Sequence, residues 1–308
     1  MTLAIFFTIF ASFLWGITNH IDKFMISGVD KSGSSIKTLL VFSTLVAGFI
    51  LSPIWLIANK FSVDISTISL ICVLLSSFSY IVATYFYFKA LEKNDASVVV
   101  VMSQLIPVFS YILELIFFKE NLTLQQIIGS IVIILSAVLI SLNFEEKKNN
   151  KINWSALILM TLSSFLYAIY FLLFDIGIRN SSYNSCAFWF QIGLLILGII
   201  LISIKSFRTT FIKAIKTNGK RYFSLNITNE ALNLGANLLV NFANVTIPLA
   251  LVNVLMGLQG VFVFILAVIG MKLLPKYFSE SLNKQVIIQK VICIILSIIG
   301  LIVMFMGG

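Results

Sequence analysis

The chain has 308 residues, of which 59% are hydrophobic and 11% charged, with a formal net charge of +9. A soluble globular protein of this length has no use for so much apolar surface, so composition excludes that class and selects a polytopic helical membrane protein. The basic excess lies in short segments between apolar runs, where it sets topology and meets anionic lipid headgroups, and it does not form a nucleic-acid surface.

The apolar runs predict ten spans, at 3–22, 37–58, 66–88, 95–118, 124–143, 154–175, 184–204, 223–244, 247–271 and 286–306. The first run lacks a basic n-region and an A-x-A-like cleavage site, so it is read as a span and not as a signal peptide. Cys72, Cys186 and Cys293 fall inside apolar runs without paired spacing, which suggests neither a disulfide framework nor a metal site. The one long connection, 205–222, is basic and is read as a cytoplasmic surface loop, with a helix lying on the lipid interface as the alternative. Of the 21 Lys and Arg residues, 18 fall on the odd-numbered connections and their borders, leaving Lys60, Lys119 and Arg179 on the even ones. The odd connections are therefore expected in the cytoplasm and both termini outside.

The sequence repeats itself. SFLWGI at 12–17 returns as SFLYAI at 164–169, and Glu120, Leu122, Gln125, Ile127 and Ile128 return as Glu280, Leu282, Gln285, Ile287 and Ile288. Two five-helix units, 1–148 and 149–308, follow from this. An odd number of spans in each places them in opposite orientation, as inverted repeats. The expected fold is an all-α polytopic membrane protein of ten transmembrane helices.

Within this frame, span one ends in WGITNHIDKF. Trp15, Asn19 and Lys23 succeed one another at helical spacing of four, with Asp22 three from Asn19. Asp22 and Lys23 read as boundary markers that pair or snorkel there. His20, the single histidine, is a candidate for a coupling proton, although a boundary histidine is ordinarily just solvated. Tyr80 and Thr84 give span three a polar face, and span six contributes Tyr167, Tyr170 and Asp175; the aromatics read as core or interface belt, or, where they face a cavity, as an amphipathic wall for an aromatic or cationic ligand. In span four, Gln104 and Pro107 stand at nearly the same repeat position as Gln259 and Gly260 in span nine. Proline and glycine there loosen the helix and free backbone groups that can line a site. Glu114 lies inside span four, either at a lipid edge or facing a cavity.

Span eight carries the most informative pattern. Asn226, Glu230, Asn233, Asn237, Asn241 and Asn244 are spaced at four, three, four, four and three, the face of one helix. Interhelical packing by amides is one reading. The other is a polar pathway with Glu230 as its charge, because an intramembrane carboxylate marks a site by default. One repeat length earlier, Glu230, Asn233, Asn237 and Asn241 map onto Ser77, Tyr80, Thr84 and Phe88, three of the four polar, so both halves carry a polar face on the same helix. A matched pair favours a shared cavity.

No phosphate-binding glycine loop, HExxH, CxxC or Ser/His/Asp set is present, so the chain is not read as an enzyme and no cofactor or metal is expected. SFLWGI in the first span and the stretch from YFYFKALEKNDASVVVVMSQLIP to IIGSIVIILSAVLIS resemble the EamA-type branch of the drug/metabolite transporter superfamily, with Ala96, Pro107 and Glu120 at its typical positions. Gly260 in place of a second proline, and the longer connection after span nine, depart from it. The resemblance implies a secondary transporter, often an exporter, with a cavity among spans one, three, four, six, eight and nine. It also implies cytoplasmic termini, against the charge bias, which we follow.

The combined expectation is alternating-access transport of a small polar metabolite, amine-bearing or zwitterionic. Its site is expected to use Glu230, Asn233, Asn237, Asn241, Tyr80, Thr84, Gln104, Gln259, Asn19 and Trp15. Glu230, Glu114 and His20 are the candidates for coupling to a proton, an exchanged solute being the other driving partner. A lipid-headgroup flippase and a non-transporting membrane scaffold are the alternatives. The Ile/Asn/Lys-rich composition suits a bacterial inner membrane.

Overall fold

Helix starts follow local side-chain chemistry in the computed structural model, which describes residues 1–28, 35–118, 123–143, 151–244, 246–247, 249–275, 278, 280 and 283–306. Ser66, Asn153 and Ser182 each accept a bond from the backbone N–H three residues on, and Thr123 forms a reciprocal capping box with Gln126. The helices are α1 (Thr2–Gly28), α2 (Ser35–Val46), α3 (Ser52–Ala58), α4 (Thr67–Lys93), α5 (Ala96–Ser103), α6 (Leu105–Phe118) and α7 (Leu124–Ile140). They continue with α8 (Trp154–Asn180), α9 (Tyr183–Ser203), α10 (Lys205–Asn244), α11 (Leu249–Met256), α12 (Gln259–Leu273) and α13 (Lys284–Met306). A π-helical turn, Ala47–Leu51, joins α2 to α3, and Leu142–Asn143 pairs antiparallel with Lys151–Ile152 in a two-residue ribbon.

Eight helices among the described residues are long and apolar enough to cross a membrane: Thr2–Ser27, Ile36–Ala58, Thr67–Lys93, Ala96–Phe117, Trp154–Asn180, Tyr183–Ser203, Leu251–Leu273 and Lys284–Phe305. Leu124–Ile140 is a shorter apolar helix. The predicted eighth span lies in α10, whose basic start and amide stripe keep it below that standard of hydropathy. The all-α polytopic membrane fold holds. Large apolar side chains such as Phe78, Ile131, Ile158 and Ile199 are exposed on its outside, the arrangement a lipid solvent requires.

The segment 205–222 is not a loop. It forms the first half of α10, a helix of 40 residues, with Phe207, Phe211 and Ala214 packed against the core. Lys and Arg are compatible with a helix interior, and these apolar residues give the segment a face to bury.

Two long apolar helices are interrupted. α5 passes into α6 at Gln104, three residues before Pro107, whose ring has no N–H and collides with the carbonyl of Ser103 four residues back. α11 passes into α12 at Gly257–Leu258, directly before Gln259.

Packing runs in pairs: α1 against α10 and α4 against α8; α2 against α10 and α9 against α4; α1 against α12 and α8 against α6. α7 packs on α13, where Gly129 and Gly300 let the backbones meet: a Cβ on Gly129 would lie 2.6 Å from the Gly300 carbonyl oxygen.

Lys23 and His20 are buried within the bundle and are not solvated at a helix end, while Asp22 is half-buried. The Lys23 ammonium is buried and donates to the carbonyls of Leu91, Glu92 and Asn94 at 2.7, 3.3 and 2.9 Å, satisfying the C-terminus of α4. His20 is buried, with Nε2 2.8 Å from the Val263 carbonyl of α12. Snorkelling to water would leave the α4 carbonyls unpaired, and that is why Lys23 stays inside. Beside it, Lys290 is buried and bonds Asp95 at 2.5 Å and Glu280 at 2.7 Å. Glu280 also accepts from the Ser97 N–H and hydroxyl at 3.1 and 2.7 Å. This neutral cluster ties α1, α4 and α5 to α13 and the segment before it. Its partner in the sequence repeat, Glu120, lies outside the described residues.

Candidate functional site

The polar centre of the bundle forms where α1, α2, α4, α8 and α10 converge. On α1, the Asn19 amide nitrogen donates to the Trp15 carbonyl at 2.5 Å, which turns its oxygen toward α4, where the Tyr87 hydroxyl donates to it at 2.9 Å. The same hydroxyl is 3.4 Å from Asp22 Oδ2. On the other side of Asp22, the Asn229 amide of α10 donates to Oδ1 at 2.8 Å. Glu230 follows Asn229 directly, accepts a bond from the Ser43 hydroxyl of α2, and lies within electrostatic reach of Asp22. Neither carboxylate has an ion-pair partner among the described residues. Both remain half-buried, keeping accessible surface between the surrounding helices.

Asn226 and Asn229 are almost fully buried, at 0% and 3% exposure, and their bonding is incomplete. Both amide atoms of Asn226 and the Oδ1 of Asn229 lack partners among the described residues. Buried amides left so are costly. Asn226, Asn229 and Glu230 share one face of α10 at helical spacing.

An aromatic wall closes one side. Tyr80 meets Tyr167 at 5.7 Å and Tyr170 at 5.4 Å between ring centroids, edge to face, and Phe190 completes the group. Thr84 Oγ1 is 2.9 Å from the Tyr167 hydroxyl. The wall thus presents hydroxyls and ring faces beside two carboxylates, a combination that suits a cation.

Of the residues singled out in the sequence, Asn19, Tyr80, Thr84 and Glu230 come together here, whereas Trp15 contributes only its backbone carbonyl and its side chain packs against the cluster of Ala11, Ala236 and Val240. Asn233 is half-buried one turn beyond Glu230; Asn237 is exposed and donates to the Asn233 carbonyl at 2.8 Å. The side chains of Asn241 and Asn244 lie outside the described residues. Gln104 and Gln259 are half-buried at the two helix breaks. Glu114 stands on α6 near Tyr111, which packs on Phe305 in a separate apolar cluster. His20 points from α1 toward α12, and Asp175 pairs with Arg179 at 2.7 Å on the surface.

Sequence reasoning missed Asn229 and misread Asp22. The signal for Asn229 was present, three residues from Asn226, but Glu230 at the next position drew the stripe past it. Asp22 beside Lys23 resembles any helix end, and only the facing amide of α10 distinguishes it.

The EamA-like transporter family matches residues 2–142 of the chain. An uncharacterized protein of Methanocaldococcus jannaschii is 32% identical over 98 residues, 32% of this chain and 72% of that protein. A solved crystal structure, titled only as that of a protein, superposes with a TM-score of 0.56 at 13% identity, over 98% of this chain and 95% of the other, a likeness of fold alone.

Proposed function

The chain belongs to the EamA-like transporter family, and on that premise we propose that it is a secondary transporter that exports a small amine-bearing or zwitterionic metabolite. The observation that carries the reading is the pair Asp22 and Glu230, two carboxylates with no ion-pair partner among the described residues, flanked by the amide atoms of Asn226 and Asn229 that lack partners there. An ammonium group bound between the carboxylates would supply the missing charge, and the amides would bond the polar remainder of the ligand. The tyrosine wall would cover its apolar part.

Alternating access fits the framework. The halves 1–148 and 149–308 act as inverted units, and the packing pairs exchange into one another when the halves are exchanged. The breaks at Gln104 and Gly257–Leu258 fall at corresponding positions of the two units and serve as their hinges. The Lys23–Asp95–Glu280–Lys290 cluster closes the end that the distribution of basic residues assigns to the cytoplasm of a bacterial inner membrane. Release of substrate outward precedes its opening.

The test is thermal unfolding of the detergent-purified protein against a panel of amines, amino acids and anionic metabolites, because a ligand that binds only the folded state raises Tm. Amines or amino acids should stabilise the wild type, and Asp22→Asn and Glu230→Gln should each abolish most of the shift. Stabilisation by anions alone, or an undiminished shift in both variants, contradicts the proposal.

A further inference from the structure

The hydroxyl and amide protons around Asp22 and Glu230 are already committed within the protein. Thr84 on α4 sets the pattern. Its one hydroxyl proton goes to the Tyr80 carbonyl a turn back, at 2.8 Å, so its 2.9 Å contact with Tyr167 requires the phenol to donate. The Tyr167 oxygen is left with lone pairs for any further partner. Tyr87 is held in the same sense, its one proton lying toward Asn19 Oδ1 at 2.9 Å and Asp22 Oδ2 at 3.4 Å, both acceptors. The Asn19 nitrogen donates to the Trp15 carbonyl, and the Asn229 nitrogen to Asp22 at 2.8 Å. The Ser43 hydroxyl gives its proton to Glu230.

Resting on the reading of this centre as an amine site, we infer that its ligand is a primary ammonium ion on an apolar body, without a carboxylate. The ligand must bring the N–H donors, because the protein offers mainly acceptors: the two carboxylates, the Tyr87 and Tyr167 oxygens, and the Asn229 oxygen that has no partner among the described residues.

A primary ammonium supplies three donors to this set, and bonds from a charged donor are the strong ones. A quaternary ammonium supplies none. Both cations fit the ring faces of Tyr80 and Tyr167, which stand within electrostatic reach of Asp22, so the wall holds either and the acceptors separate them. A site built to bond a polar group rejects the analogue that lacks it, since its own groups are then left unpaired. A zwitterion fails for another reason, because its carboxylate enters a site that holds two already. Of Asn19, Asn226 and Asn229, only Asn226 keeps an amide nitrogen without a partner among the described residues, one neutral donor against two anions. A hydroxyl not committed in this way, as on Tyr80, donates or accepts and selects neither ligand.

The experiment is calorimetric titration of the full-length protein in detergent with three probes that share one ring: 2-phenylethylamine, its N,N,N-trimethylated form, and phenylalanine. 2-Phenylethylamine should bind, with the Kd of each of the other two higher by at least about tenfold. Thr84→Val keeps the shape of the side chain and removes the acceptor that holds the Tyr167 proton. The phenol is then free to point its proton at the ligand. The variant should weaken 2-phenylethylamine about fivefold and leave the trimethylated probe nearly unchanged, shrinking the ratio between them. Equal affinity for the primary and quaternary probes, phenylalanine bound as tightly as 2-phenylethylamine, or an unchanged ratio in Thr84→Val overturns the inference while the amine site stands. If none of the three binds, the amine reading falls and the inference falls with it.

Discussion

Asn229 of α10 donates to Asp22 of α1 across 2.8 Å, and this bond joins the two helices at the level where their acidic residues meet. The amide leaves its own oxygen unpartnered and holds one oxygen of Asp22, so the carboxylate is oriented before any ligand arrives. Preorganisation of this kind lowers the cost of binding.

Replacing Asn229 by Ala should therefore weaken amine binding more than it weakens the fold. A hydrogen bond to a charged group is worth about 1.5–3 kcal/mol, so the Kd for a stabilising amine should rise at least about tenfold. Loss of the unpartnered oxygen returns some stability, and Tm without ligand should change little. Calorimetric titration beside unliganded thermal unfolding separates the effects. A fall in Tm with unchanged affinity would assign Asn229 to packing.

Lys290 predicts the opposite balance. Lys290→Met would remove the ammonium that Asp95 and Glu280 share in a largely buried setting. Breaking a buried pair from one side costs about 3–5 kcal/mol, which should appear as a large fall in Tm in detergent. Adding Glu280→Gln to Lys290→Met removes one stranded charge and should recover part of the loss. The double variant falling further than the single would mean that Glu280 is held mainly by Ser97.

Two glycines give a direct contrast. Gly129→Ala drives a Cβ into the Gly300 carbonyl and Met304 on α13, whereas Gly235→Ala meets only Leu14 Cδ1, at 3.8 Å. The first should cost about 1–3 kcal/mol by overpacking. The second replaces a helical glycine and should gain about 0.5–1 kcal/mol. Thermal unfolding of the two proteins side by side should shift in opposite directions. Equal shifts would mean that the α7–α13 crossing is looser than these distances.

Much of this fold was legible in the sequence because lipid imposes a simple grammar of apolar runs and turn signals. The site was legible only where chemistry kept helical register. Glu230, Tyr80 and Thr84 were singled out from their own helices, but no periodicity within α1 tells that Asp22 faces α10 while Lys23 turns to the end of α4. That choice depends on which neighbour lacks a partner: α4 offers free carbonyls to Lys23, and α10 offers an amide to Asp22. For 205–222 the basic residues favoured a surface loop over the alternative of a helix, and Phe207 and Phe211 decide for the helix by packing against the core.

Pro107 tests whether the helix breaks are tied to movement. At present its ring ends the regular bonding of α5 at Gln104, and the chain resumes as α6 one residue later. Pro107→Ala restores an N–H and removes the collision with the Ser103 carbonyl, allowing 96–118 to become one continuous helix. An interior proline costs a helix about 3 kcal/mol relative to alanine, so the variant should unfold at higher temperature than the wild type. The counterpart break at Gly257–Leu258 is untouched by this change, so one half would stiffen while the other kept its hinge. Transport that needs both halves to bend should slow, although amine affinity at Asp22 and Glu230, on other helices, should remain. Measured together in proteoliposomes and by titration, higher Tm, retained Kd and reduced turnover support a hinge at Gln104. Higher Tm with undiminished turnover would show that the break serves packing around Pro107 and that movement arises elsewhere.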